Sequence, residues 1–96
     1  MKAYVIAAET VSDEAMFASY RKEVPATIEA FGGRFIVRGG KVSIVEGQWP
    51  RARTVVIEFP SRDAAEGWYK SAAYQKIIGL RLKSTAGDLV IVDGHD

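Results

Sequence analysis

The stretch Arg53–Ile78, RTVVIEFPSRDAAEGWYKSAAYQKII, carries a strand that turns directly into a helix. Val55, Ile57 and Phe59 point to one side and Thr54, Val56 and Glu58 to the other, the two-residue period of a strand that buries at least one face. Pro60 removes a backbone donor and ends the ladder. Ser61 is placed to cap the helix that follows, and Asp63 sits in its first turn, where the helix dipole favours an acid. Ala64, Ala65 and Trp68 recur at helical spacing, which reads Trp68 as core. Ser71–Tyr74 then reads as a short turn.

Outward from this stretch, Lys2–Ala8 is apolar on both sides, as in a strand covered twice. Ser12 is the expected N-cap of the next helix, and Met16, Phe17, Tyr20, Val24, Ile28 and Phe31 mark one of its faces. Pro25 falls inside that run. A mid-helix proline costs about 3 kcal/mol, so the sequence predicts a kink or two segments there, and Gly32-Gly33 ends the helix. Arg34–Arg38 and Lys41–Glu46 read as a hairpin closed by Gly39-Gly40, since glycine reaches the positive φ of a tight primed turn without steric cost. Gly47–Ala52 is a loop that holds Trp49 beside Pro50. Ile77, Ile78, Leu80 and Leu82 predict a brief last helix, and Asp88–Asp93 a closing strand.

The chain has 96 residues, 48% of them hydrophobic and 26% charged, an ordinary globular profile for one small domain. Thirteen basic residues against 12 acidic ones give a net charge of +1, too small to imply nucleic acid or an anionic membrane as partner. There is no cysteine, which excludes disulfides, thiolate metal sites and cysteine nucleophiles. The apolar start is broken by Glu9 and is too short for a membrane span, so a soluble cytoplasmic protein is expected.

The order strand, helix, hairpin-extended strand, strand, helix, strand is the split β-α-β arrangement of ferredoxin-like α+β domains, one domain over residues 1–96 with a four-stranded antiparallel sheet and helices on one face. The motifs GGRFIVRGG (Gly32–Gly40), EGQWP (Glu46–Pro50), VVIEFP (Val55–Pro60) and AEGWYKSAAYQ (Ala65–Gln75), with the closing Asp93-Gly94, resemble the family named domain of unknown function 1330 over nearly the whole chain. Ala73 departs from it, standing where that family often has a small polar or proline context. The resemblance implies a dimeric α/β barrel in which two sheets face each other, and it leaves the activity open.

Glu58 is the only acid in the Arg53–Phe59 strand. On the face of Val56 it is a catalytic candidate if burial raises its pKa, and a structural partner of Arg38 or Arg53 if it does not. Arg34 and Arg38 share a face of their strand, and Arg38 suits a ligand carboxylate, which a guanidinium meets with two parallel hydrogen bonds. Tyr20, Trp49 and Tyr74 are expected to wall a pocket between sheet and helices for a small apolar or aromatic molecule. The one histidine, His95, is next to the C-terminal residue and suits neither haem nor metal, so no metal site and no cofactor are expected. The cluster Arg34, Arg38, Lys41, Arg51 and Arg53 is basic, but its strands lack the aromatic pair that stacks RNA bases, which argues against nucleic acid. Two functions remain: a binder of a small apolar or aromatic metabolite, and a cofactor-independent monooxygenase- or isomerase-like enzyme with Glu58 as base and Arg38 as oxyanion partner.

Both sides of the strands are apolar. One face is expected to carry Tyr4, Ile6, Val55, Ile57, Leu89 and Ile91, the other Ala3, Val5, Ala7, Val56, Val90 and Val92. Two helices cover one face only, so a homodimer packed sheet to sheet is expected to cover the other.

Overall fold

The computed structural model describes residues 1–96. The elements are β1 (Ala3–Val11), α1 (Glu14–Glu29), β2 (Arg34–Arg38), β3 (Arg53–Phe59), α2 (Arg62–Lys70), α3 (Ala72–Ser84) and β4 (Thr85–Asp93). The strands form one antiparallel sheet in the order β2-β3-β1-β4, the ferredoxin-like α+β topology the sequence predicts. No helix is long and apolar enough to cross a membrane.

Register assigns the faces. Val5 stands opposite Ile57 on β3 and Ile91 on β4, and Ala7 opposite Val55 and Leu89. The helix-covered face is therefore Ala3, Val5 and Ala7 with Val55, Ile57, Phe59, Leu89 and Ile91, while Tyr4, Ile6, Val56, Val90 and Val92 share the open one. The sequence expectation had β1 out of phase by one residue. Both of its alternating sets are apolar, so nothing in the strand itself chooses between them. The core is closed by Phe17, Tyr20, Val24 and Ile28 from α1 and by Ala65, Trp68 and Tyr74 from α2 and α3. Trp68 is fully buried, packs on Phe59 with ring centroids 5.5 Å apart and on Tyr74 at 4.2 Å, and donates from Nε1 to Thr27 Oγ1 at 3.0 Å.

Four local expectations are corrected. Asp13 rather than Ser12 caps α1, its carboxylate accepting from the Met16 amide at 3.0 Å, because Ser12 is drawn to the Ser84 carbonyl at the end of α3. Pro25 does not divide α1 into two segments. A proline in a helix leaves the carbonyl four residues earlier without its donor, here that of Arg21, and Arg38 Nη2 fills the place at 2.9 Å. Ser71–Tyr74 is a helix junction rather than a turn: Ser71 Oγ donates to the Trp68 carbonyl at 2.7 Å and accepts from the Tyr74 amide at 3.2 Å, so one residue ends α2 and starts α3, which then runs far longer than Ile77–Leu82.

The fourth is the hairpin. Lys41–Glu46 forms no strand, and the backbone of Gly40–Ala52 makes no hydrogen bond to other backbone. Gly39 does take the positive φ of a turn, +73°, and Gly40 does not, which rules out a type I′ turn. The Gly39 amide instead donates to the Thr54 carbonyl at 2.9 Å, prolonging the β2–β3 ladder.

Trp68→Ala should cost about 3–5 kcal/mol in urea unfolding, as a large aromatic lost from a closed core. Ile57→Asp, a charge placed on the helix-covered face, should prevent folding altogether. A Trp68→Ala loss below about 1 kcal/mol would mean that α2 is not packed on the sheet as described.

Candidate functional site

The helix-covered face of β1 continues Ala3, Val5, Ala7 to Glu9. Pairing places Glu9 opposite Arg53 of β3, and α3 brings Arg81 over the same point. Glu9 is 3% exposed and Arg81 7%. Arg53 Nε lies 3.5 Å from Glu9 Oε1, and Arg81 Nη1 lies 4.0 Å from Oε2. Both separations exceed those of good N–H···O bonds. Arg53 Nε is buried without a hydrogen-bond partner of good geometry, and Glu9 is held only by these two long contacts. Burial pushes the Glu9 carboxyl above its ordinary pKa, and the opposing fields of Arg81 and Arg53 do not bring it back.

Beside this trio stand two tyrosines. Arg81 Nε donates to the Tyr74 hydroxyl at 3.2 Å, and the Tyr74 and Tyr20 hydroxyls are 2.9 Å apart. Burial raises both phenol pKa values, so both hydroxyls stay protonated. Arg81 can only donate, and fully buried Tyr74 has no acceptor but Tyr20 for its own hydrogen. Either tyrosine can donate to the other, and the order Arg81 to Tyr74 to Tyr20, which gives the Tyr74 hydrogen an acceptor, leaves the Tyr20 hydrogen free.

That hydrogen, Glu9 and Arg53 share a cavity of about 30 Å³ between α1 and the sheet, with Phe17, Val24, Phe35 and Ile57 among its apolar walls. Arg21 and Arg38 reach it from the solvent side. Arg38 stacks on Phe35, its Cζ 4.2 Å from the ring centroid, while its Nη2 holds the Arg21 carbonyl across the mouth. A Cβ on Gly39 would overlap the Arg53 guanidinium, so glycine there lets Arg53 lie against the backbone and reach Glu9.

Of the residues singled out in the sequence, Tyr20 and Arg38 line this cavity, and Tyr74 lies directly behind Tyr20. Trp49 is elsewhere: its Nε1 donates to Thr54 Oγ1 at 3.0 Å, on the open side of the sheet. Glu58 is also on the open side, held by Arg34 and Lys2 at 3.3 Å each and by the Tyr4 hydroxyl at 3.4 Å. Burial works to raise its pKa, but the hydrogen bonds and charges of Lys2 and Arg34 outweigh it and leave the carboxyl below its ordinary value. Its partners are thus not Arg38 or Arg53. A bulge between Phe35 and Val37 puts Arg34 opposite Glu58 and Arg38 opposite Val55, so the two arginines that a regular strand would align face opposite ways. Sequence reasoning missed Glu9, Arg53 and Arg81 as one group. The one signal was Glu9 itself, in phase with Ala3, Val5 and Ala7.

The architecture defines a ferredoxin-like α+β protein with a cavity beneath its first helix. The chain belongs to the family described as Domain of unknown function (DUF1330), whose model matches residues 2–95. Among solved structures it resembles RPA0582, a protein of unknown function from Rhodopseudomonas palustris, at TM-score 0.78 and 13% identity over 99% of this chain and 83% of that one. It also resembles SnoaB, a cofactor-independent oxygenase from Streptomyces nogalater, at TM-score 0.63 and 11% identity, covering 99% and 94% of the two chains. A dimeric protein of unknown function with a ferredoxin-like fold from Bacteroides fragilis matches at TM-score 0.55 and 10% identity, covering 97% and 96%. At such identities the likeness is one of fold. A search of curated protein sequences finds no match.

Glu9 and Glu58 should titrate on opposite sides of the ordinary glutamate value of about 4.3, Glu58 below and Glu9 above, in a carbon-detected NMR titration. The signs differ for stability as well. Glu58 adds stability that is present above the unfolded value and lost as pH falls through its folded pKa. Glu9 favours the folded state below the unfolded value, and that contribution is lost as pH rises through its folded pKa. A Glu9 midpoint at or below the ordinary glutamate value would contradict the balance between burial and arginine fields described above.

Proposed function

We propose that the protein binds a small molecule with an apolar or aromatic body and an anionic group, in the cavity beneath α1. The observation that carries this reading is the lining itself: apolar walls on which Arg21, Arg38, Arg53 and Arg81 converge against the single acid Glu9. That excess of positive charge in a desolvated setting favours an anion. Tyr20 and Arg38 are the ligand contacts, Tyr74 supports Tyr20 from behind, and Glu58 has no part in the site. As it stands the cavity has room for one or two waters, so a ligand enters by displacing Arg38 and parting the walls beneath α1, and Arg38 exchanges the neutral Arg21 carbonyl for a carboxylate. That exchange is favourable because hydrogen bonds between charged partners are about twice as strong.

3-Phenylpropionate is a suitable probe, read by saturation-transfer NMR and calorimetry against the uncharged 3-phenylpropanol. The acid should bind more tightly than the alcohol, and Arg38→Ala should weaken it about tenfold, equivalent to about 1.4 kcal/mol. Equal affinities for acid and alcohol, or an unchanged affinity in Arg38→Ala, would refute the anion site.

We further propose a homodimer closed over the open face of the sheet. Tyr4, Ile6, Val37, Val56, Val90 and Val92 form its apolar surface, with Val37, Val90 and Val92 all well exposed. The Gly40–Ala52 loop, tied to this side through Trp49–Thr54 and Arg51–Thr10, adds exposed Val42, Ile44 and Trp49. A second copy offers the same apolar patch, and the burial adds stability that a chain of this size lacks alone. The Bacteroides fragilis neighbour, described as dimeric, supports this reading. Light scattering behind a sizing column should give twice the chain mass at tens of micromolar, and Val56→Asp should give a folded monomer. A monodisperse wild-type monomer at that concentration would rule the dimer out.

A further inference from the structure

The cavity presents Arg53 Nε, buried without a hydrogen-bond partner, beside the Glu9 carboxylate, which its two arginines meet only at 3.5 and 4.0 Å, and the Tyr20 hydroxyl, whose hydrogen is free when Tyr74 donates to it. Burying an unpaired donor or acceptor costs about 1–3 kcal/mol, so such a cluster fits a ligand that completes it. The ligand must offer a hydrogen to Glu9 and an oxygen to Arg53 and Tyr20. A carbonyl with an acidic C–H beside it supplies both.

We propose that Glu9 is the general base of a proton-transfer reaction, the keto–enol tautomerisation of a small aryl keto acid. This rests on the binding reading above and adds chemistry to it. The aryl group lies among Phe17, Val24, Phe35 and Ile57, and the carboxylate meets Arg38 at the mouth. The keto group then lies alongside the Glu9–Arg53 pair, its C–H toward Glu9 and its oxygen toward Arg53 and Tyr20. Glu9 takes the proton from the carbon next to the carbonyl. The C–H electron pair forms the new C=C bond, and the carbonyl π pair moves to oxygen. The resulting enolate is held by the Tyr20 O–H and the Arg53 N–H, donors already in place where the charge develops. The Glu9 carboxylic acid then returns its proton, to the oxygen to give the enol or to the carbon to restore the ketone. No oxidant, reductant or co-reactant enters.

A Glu9 carboxyl with a raised pKa accords with this role, since a base works best with a pKa near the operating pH. In the order Arg81 to Tyr74 to Tyr20, Tyr20 accepts from Tyr74 and keeps its own hydrogen to donate to the developing oxyanion. Arg81 and Tyr74 are positioning residues. Arg53, Tyr20 and Glu9 touch the reacting atoms.

The test is hydrogen–deuterium exchange at the benzylic carbon of phenylpyruvate in D2O, followed by proton NMR, with binding of the same compound measured by saturation transfer. The wild-type protein should exchange those protons roughly a hundredfold faster than the buffer blank, the scale of positioned general-base catalysis. Glu9→Gln should fall to the blank rate while still binding phenylpyruvate. Glu9→Asp, which keeps the carboxylate but withdraws it by one methylene, should retain part of the rate and covers the case in which Glu9→Gln does not fold. Tyr20→Phe should slow exchange without abolishing it. Wild-type protein that binds phenylpyruvate but exchanges it no faster than the blank overturns the inference and leaves the binding site standing. Absence of both binding and exchange removes the two together, and exchange that persists in a folded Glu9→Gln removes Glu9 as the base.

Discussion

Seven residue pairs between β1 and β3, from Ala3 opposite Phe59 to Glu9 opposite Arg53, fix everything else in this molecule. Because side chains alternate with a period of two, a slip of one residue would turn Ala3, Val5 and Ala7 outward and carry Glu9 to the open face. The native register puts the small residues of β1 under the large ones of the helices, where Phe59, Trp68 and Tyr74 need room. At its far end the same register delivers one acid into the apolar layer. The core packing and the chemical site are thus consequences of one alignment.

That acid is costly. A carboxylate at 3% exposure whose two arginines stand 3.5 and 4.0 Å away has lost its water and recovered only part of the loss through charge. Apolar side chains of similar volume would serve stability at least as well, so the trio is weak as an explanation of stability. The glycine at position 39 points the same way. It lets Arg53 lie against the backbone where any side chain would collide with the guanidinium. Pro25 makes a related bargain: an α1 position without a backbone donor frees the Arg21 carbonyl, and Arg38 is thereby held at the mouth of the cavity.

The fold was legible because its signals were local and agreed. Strand alternation in Arg53–Phe59, the Pro60-Ser61 boundary and the helical spacing of Ala65 and Trp68 each depend on neighbours in the chain. Errors arose wherever a distant partner decides. Nothing near Pro25 announces that Arg38 will repair its helix. The Lys41–Glu46 segment has the alternation of a strand, yet it leaves the outer edge of β2 unpaired. The face of β1 could not be chosen when both sets were apolar. The site suffered most from this, since Glu9, Arg53 and Arg81 lie far apart in sequence, and Glu58, prominent by position, is neutralised by Lys2 and Arg34. Tyr20 and Arg38 were visible as residue types without any indication of what they would meet.

The bulge in β2 links these points. In a regular strand paired from Arg34 opposite Glu58, Arg38 would fall opposite Thr54, on the open face. The extra residue between Phe35 and Val37 shifts it to Val55, on the helix side, while Arg34 stays with Glu58. Without that shift the Arg21 carbonyl left free by Pro25 would have no partner, the cavity would lose the cation at its mouth, and the apolar open face would gain a charge near Val56. One inserted residue therefore separates the two roles of the sheet. The covered face keeps the arginines that a buried anion needs, and the open face stays apolar between the Glu58 ion pairs at one end and the Trp49 loop at the other, as a surface shared by two copies would require.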